Sequence, residues 1–413
     1  MAIRCPKRER REVSSRIVVV GGGFAGFWAA VAARRVAPAE FDVVMASRQA
    51  TQQMRPRLYE ANPESLQIDL SPILQKIGIE FVPGEATALD HIARKLVLDH
   101  KKELEYGRVV VATGSALRRP LLPGADEAYS IDTVAEAISF DKRLAEITRN
   151  SGAPTLAVVG AGFTGVELTL ELRDRIAHHG APGAAEHARI LPFDAADVVG
   201  RELGAGPRPV IEAALAEARV ELRLAVSVTA LARDSVLLSD GQTISADAVV
   251  LTTGMAAAEF ARNIPGERDR LGRIVVDRSL RTPASAAIFV AGDAAAVDGG
   301  DGHLVLQSCQ HALQLGRFAG ENAARDLIGV PTIPYVQPPY VTRFDLGRSG
   351  AVFTRGWERT VELTGAEAKA VKRRINREII YPPFDATREE LLALSSVEPA
   401  LQRRPTLKSQ RSP

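Results

Sequence analysis

The chain opens on a polar, basic stretch and then changes character abruptly. From Ile17 to Ala33, 17 residues carry no charged side chain. Ile17-Val18-Val19-Val20 reads as a short buried strand, and the alanine-rich segment after the glycines reads as a helix crossing back over it. The run falls short of the roughly 20 residues a bilayer span needs, and four glycines interrupt it, so it is no membrane segment. Phe41-Asp42-Val43-Val44-Met45 predicts a second strand. Leu96-Val97-Leu98 and Val109-Val110-Val111 predict two more, the latter ending in Ala112-Thr113-Gly114. A linker with proline and charge follows, Arg118-Arg119-Pro120 and then Pro123-Gly124. The pattern then begins again. Thr155-Leu156-Ala157-Val158-Val159 and Arg189-Ile190-Leu191-Pro192-Phe193 read as strands, and Ala248-Val249-Val250-Leu251 ends in Thr252-Thr253-Gly254, an echo of the first half. A buried strand at Ala287–Ala291 runs into Gly292-Asp293, and Leu304 to Leu327 reads as a helix. Beyond residue 330 come prolines at 331, 334, 338 and 339, alternating aromatic and polar residues, and a basic helical stretch.

Both halves begin with the same device. Gly21, Gly23 and Gly26 follow the first strand, and Gly160, Gly162 and Gly165 follow its counterpart, 139 residues later. In such a G-x-G-x-x-G the first glycine makes the tight turn, the second admits a pyrophosphate, and the third lets helix and strand pack closely. The helix N-terminus then faces the phosphates. Two copies predict two dinucleotides in one molecule, usually a flavin and a nicotinamide. The fold class is therefore α/β with two Rossmann-like domains.

Composition narrows the chemistry. With 413 residues, 46% apolar and 25% charged, the chain is an ordinary globular protein with room for two or three domains. A net charge of +2 and the lack of any nucleic-acid motif argue against nucleic acid as a partner. Residues 1–15 read as a disordered basic arm with no secretory signal, so a cytoplasmic protein is expected. The sequence has two cysteines, Cys5 and Cys309, far apart. No CxxC or CxxxxC relay can be built from them, so electrons reaching a flavin must leave it directly. Asp298-Gly299-Gly300-Asp301-Gly302 lacks the spacing and terminal glutamate of a calcium loop and reads as a flexible loop, and no metal is expected.

Further motifs give a resemblance. Gly21–Gly26, Leu58-Tyr59-Glu60, Gly160–Leu168 and Gln310-His311-Ala312-Leu313-Gln314-Leu315-Gly316 resemble the type II NADH dehydrogenases, single-subunit NADH:quinone oxidoreductases within the FAD- and NAD-dependent disulfide-reductase-like flavoproteins. The resemblance covers residues 16 to about 330. It implies an FAD domain at 16–122 and 270–330, an NADH domain inserted at 123–269, and a C-terminal α+β extension at 331–413 for membrane-surface or dimer contact. It implies FAD and NADH as cofactors, and a quinone or other two-electron acceptor as partner. It also adds a peripheral site on the inner face of the cell membrane to the expected localisation. A soluble reductase of a small redox protein or biosynthetic acceptor, and an NADH-sensing flavoprotein with little turnover, stay open as alternatives.

The site residues follow. Gly21, Gly23 and Gly26 would cradle the FAD pyrophosphate, with Thr113, Gly114 and Gly292-Asp293 at neighbouring strand ends. The family expects an acid at the end of the second strand, where Ser47-Arg48 stands instead; a serine hydroxyl makes one hydrogen bond but no charged pair. Gly160, Gly162 and Gly165 would bind NADH, with Gly254 nearby and Asp194 on the ribose; Pro192 leaves the register, and Asp197 as an alternative, open. Glu167 and Glu171 share a helix face. The resemblance makes Glu167 a nicotinamide contact and Glu171 the proton carrier to quinone, whereas the bland reading is a solvent-facing pair. Gln307, Gln310 and Gln314 form a stripe on one helix face, and the resemblance sets Gln310 and Gln314 beside flavin and quinone. In 366–380, Val371, Ile375 and Ile379 recur every four residues amid Lys369, Lys372, Arg373, Arg374 and Arg377. That pattern suits an anionic membrane surface, and equally a helix docked on its own domain.

Overall fold

The computed structural model describes residues 14–180 and 182–402. The first half lays down β1 (Arg16–Val20), β2 (Asp42–Ser47), β3 (Glu80–Pro83) and β4 (Arg108–Val111), all parallel. Ile17 to Val20 are at most 3% exposed, as expected of strands covered on both faces. Helix α1 (Phe24–Val36) crosses over them. The second half repeats the plan with β5 (Tyr129–Ser130), α2 (Val134–Asn150), β6 (Thr155–Val159), α3 (Phe163–His178), β7 (Arg189–Phe193) and β8 (Ala248–Leu251). Its strand order is β5-β8-β6-β7. The chain then returns: β9 (Ile288–Val290) pairs with β4, so the first sheet reads β9-β4-β1-β2-β3. The second sheet is thus inserted between two parts of the first. Ser115–Leu117 and Met255–Ala257 pair antiparallel where the chain leaves and re-enters.

Pro192 finds its place because β7 is the edge of the second sheet, where a missing donor does least damage. Its register against β6 is Val158 to Pro192 and Val159 to Phe193, which leaves Asp194 just past the strand end.

Helix α4 (Cys309–Leu327) begins five residues later than the sequence suggests. Ser308 is its N-cap, its hydroxyl accepting from the His311 N–H. Gln307 therefore lies outside the helix, and the expected three-glutamine stripe is reduced to Gln310 and Gln314. Helices α1 and α4 pack backbone to backbone, because a Cβ on Gly316 or Gly320 would overlap the carbonyl of Ala25 or Ala29.

Beyond them stands a small antiparallel sheet, β10 (Val341–Asp345), β11 (Ala351–Arg355) and β12 (Thr360–Thr364), then α5 (Gly365–Arg374), which widens into a π-helical turn over Ile375–Ile379. This sheet docks on α3: Phe344 meets Phe163 edge to face at 4.8 Å. The basic pattern of 366–380 does not sort as the sequence suggests. Lys372 is buried and Lys369 half-buried, both paired with carboxylates, whereas Arg373, Arg374 and Arg377 are exposed.

Of the expected basic arm, residues 1–13, including Cys5, lie outside the described ones. Ser14 is packed instead, its hydroxyl accepting from Arg16 N at 3.3 Å. The loop at Asp298–Gly302 is also more tied than expected, since Asp301 accepts from the Trp357 indole at 2.7 Å. Among the described residues, no helix is long and apolar enough to cross a membrane and no group of His, Cys, Asp and Glu could hold a metal.

Candidate functional site

A cleft of about 2140 Å³ runs across the carboxyl ends of the first sheet to the start of α3 and the C-terminal sheet. Open parallel sheets place ligands at that edge. In the first fingerprint Gly21 holds φ +112°, and a Cβ on Gly26 would overlap the Gly21 carbonyl. Gly23 lines the cleft, and an added Cβ there would meet nothing within 4 Å. Thr113 and Gly114 line it too; Gly114 has φ +72° and open space, and the buried Thr113 hydroxyl finds no partner among the described residues. At the far side Gly292 (φ +68°) leads into Asp293, which accepts from the Ser115 hydroxyl at 2.7 Å. Burial pushes the Asp293 carboxyl up, against the pull of Ser115 and Arg55. An open glycine cradle, an orphaned hydroxyl and a half-buried acid in one groove fit the pyrophosphate and polyol of FAD.

Ser47 and Arg48 line the same groove. The Ser47 hydroxyl donates to Gln49 O at 2.6 Å. Arg48 pairs with Glu85, another lining residue, so the carboxylate at this rim comes from beyond β3 rather than from the end of β2.

The second fingerprint has the same backbone. Gly160 holds φ +109°, and a Cβ on Gly165 would overlap the Gly160 carbonyl. Its N–H groups are engaged, however. Asp194 accepts from Ala161 N at 2.7 Å and from Ala196 N at 2.8 Å, and Glu202 accepts from Phe163 N at 2.7 Å. Asp197 pairs with Arg201 at 2.8 Å. Phe163, Thr164, Glu202 and Gly254 line the cleft; Gly160, Gly162, Gly165 and Asp194 stand behind them, outside its lining.

Between the two fingerprints α3 presents Glu167, which is 4% exposed. Its Oε1 accepts from Lys372 Nζ at 2.9 Å and from Asp345 N at 2.9 Å. Burial pushes the Glu167 carboxyl up to about 7 despite Lys372, while Glu167 holds the Lys372 ammonium above its ordinary value despite burial. Both line the cleft. Glu171, one turn on, does not. Burial and Asp345 raise it to about 7, and it lies near Asp345, Lys369, Asp174 and Glu60, outside the cleft lining. Of the two expected site carboxylates, the structure brings Glu167 to the cleft and leaves Glu171 outside its lining. Nor is the pair the solvated one of the bland reading.

Gln310 lines the cleft and donates to Val341 O at 2.8 Å, and Gln307 donates to Asp293 O at 3.1 Å. Gln314 is half-buried and outside the lining. Sequence reasoning missed Lys372 as a cleft residue, and missed the stack of His303, Trp357 and Tyr340, whose rings lie 4.1 and 4.4 Å apart. His303, Trp357 and Tyr340 all line the cleft. Neither carried a signal in the local sequence.

The family model of the pyridine nucleotide-disulphide oxidoreductases matches residues 15–316. An NADH dehydrogenase-like protein of Mycobacterium tuberculosis is 40% identical, over 95% of this chain and 100% of its own length. The type II NADH:quinone oxidoreductase Ndh of the same organism is 27% identical, over 82% of this chain and 77% of its own. Among solved structures, the sulfide:quinone oxidoreductase of Aquifex aeolicus superposes with a TM-score of 0.74 at 19% identity, covering 94% of this chain and 93% of that one.

Proposed function

Belonging as it does to the pyridine nucleotide-disulphide oxidoreductases, the chain is an NADH-driven flavoprotein oxidoreductase, and we propose that its electron acceptor is a quinone. FAD fits the first fingerprint, where Gly21, Gly23, Thr113, Gly114 and Asp293 would hold it; bound, it supplies a ring that takes a hydride from NADH and passes two electrons onward. NADH belongs at the second fingerprint, with Asp194 beside its glycines. The 27% identity to a type II NADH:quinone oxidoreductase supports the acceptor.

The observation that carries the reading is the buried Glu167–Lys372 pair on the cleft wall, in a sequence with no CxxC or CxxxxC motif. The overall change is quinone plus NADH plus one proton giving quinol plus NAD⁺. One proton must therefore be supplied, and a carboxyl poised near 7 is suited to hold it. Lys372 keeps that carboxyl oriented, and Gln310 offers a neutral amide where a charged group would repel an apolar ring. Arg374 and Ile379 line the same cleft, with Arg374 exposed and Ile379 56% exposed. A basic rim with an apolar tip suits an acceptor delivered from an anionic membrane surface. We propose the two expected domains, 16–122 with 270–330 and 123–269, with the second boundary drawn back toward Met255–Ala257, where the chain re-enters.

The test is NADH oxidation with menadione against a small iron–sulfur protein as acceptor. Turnover with menadione should be fast, and Glu167→Gln should slow quinone reduction while leaving flavin reduction by NADH near normal. Faster turnover with the iron–sulfur protein would transfer the reading to a soluble reductase.

A further inference from the structure

Glu202 stands where a nucleotide phosphate would go. Its carboxylate accepts from Phe163 N, the first residue of α3, at 2.7 Å. An added Cβ on Gly162 would overlap the same carboxylate. In the first fingerprint the equivalent glycine, Gly23, faces open space. A helix N-terminus favours negative charge, and the side chain supplies that charge itself. The segment carrying it is not free to drift. Gly200 turns at φ +54°, and Arg359 donates to Glu202 O at 3.1 Å. A Cβ on Gly206 would overlap the Arg359 carbonyl. Arg359 is 7% exposed, its guanidinium over the Tyr340 ring at 4.3 Å. The backbone is thus pinned to the C-terminal sheet while the carboxylate reaches back over the fingerprint.

We infer that Glu202 is an internal competitor for the pyrophosphate of the nicotinamide nucleotide, a specificity-determining residue that binding must displace. The inference rests on the reading that NADH uses the second fingerprint. The N–H that a phosphate oxygen would take is already satisfied, and two anions cannot share it. Displacement requires only rotation of the side chain, because Arg359 holds the backbone. A ligand with a pyrophosphate regains what Glu202 gives up. A ligand without one, such as adenosine, leaves Glu202 in place, so the residue weakens pyrophosphate-bearing ligands alone.

The experiment titrates the oxidised, flavin-loaded protein calorimetrically with ADP-ribose, with NADH under anaerobic conditions as a second ligand and adenosine as a control. Glu202→Gln removes the charge and keeps the shape; Glu202→Ala removes the carboxylate altogether. Both variants should bind ADP-ribose about 5-fold tighter than wild type, a gain on the scale of a charge at a helix terminus, with adenosine unchanged. Flavin absorbance and melting temperature verify the fold of each. If wild type binds ADP-ribose and both variants bind it equally or more weakly, the competitor role is overturned while the NADH site stands. Equal tightening of adenosine overturns it too, as general loosening. If wild type binds neither ADP-ribose nor NADH, this inference and the NADH reading both fall.

Discussion

Gly21 and Gly160 hold φ of +112° and +109°, and in each fingerprint the third glycine packs against the carbonyl of the first. The two loops also lean on equivalent carbonyls, of Ala112 and Thr252 at the ends of β4 and β8. What stands over them differs. The first loop opens onto the cleft, with Gly23 unobstructed and no acid at Ser47. The second is closed by two carboxylates, Asp194 on Ala161 N and Glu202 on Phe163 N. The glycine pattern thus specifies how strand and helix pack, and residues 30 to 40 positions downstream decide whether the N–H groups stand free.

The largest effect expected from this contrast is shared by both halves. Gly26→Ala and Gly165→Ala force a methyl into a backbone carbonyl and should cost about 3 kcal/mol or more, read by chemical denaturation. Gly23→Ala, facing open space, should leave stability within about 0.5 kcal/mol while weakening flavin retention. If Gly23→Ala destabilises like Gly26→Ala, the first cradle is not open.

Glu167→Gln leaves the buried Lys372 ammonium without its counter-charge and should cost about 3 kcal/mol, with lowered quinone turnover. Next comes Asp194→Ser, expected to weaken NADH binding by about 1–3 kcal/mol in a titration. An unchanged affinity would remove Asp194 from the nucleotide site.

Burial raises both glutamates of α3 to about 7, and turnover rather than pH separates them. Burial raises Glu171 from 4.5 to about 7, so the fold binds its proton more tightly than the unfolded chain does. Stability then falls as pH rises from about 4.5 through 7. Glu171→Gln, which has nothing to ionise, should gain about 1–2 kcal/mol over wild type at pH 8 and little at pH 5, by urea melts. Its quinone turnover should change far less than that of Glu167→Gln. The smallest effect belongs to the rim: Arg48 and Glu85 are 74% and 50% exposed, and Glu85→Gln should shift stability by less than about 1 kcal/mol.

Much of the scaffold was legible because its signals are local. Short apolar runs ending in glycines mark β1, β4, β6 and β8, and the repeat between halves follows from their order. The start of α4 was misplaced because periodicity alone ignores the cap: Ser308 ends the extended chain, so Gln307 points from a loop. The inward turn of Lys372 was not legible at all. Its partner Glu167 lies 205 residues away, and nothing near residue 372 distinguishes it from the exposed Arg373 and Arg374. Glu202 was invisible for the same reason, since only the folded chain brings it to Phe163.

The account as a whole depends on two coenzymes meeting in one cleft and on electrons leaving toward a quinone. Anaerobic absorption spectroscopy of the flavin-loaded protein reads all of this in sequence. Added NADH should bleach the flavin band, and menadione should then restore it within a turnover. A protein that takes up no flavin, or whose flavin NADH leaves oxidised, would contradict the account at its root.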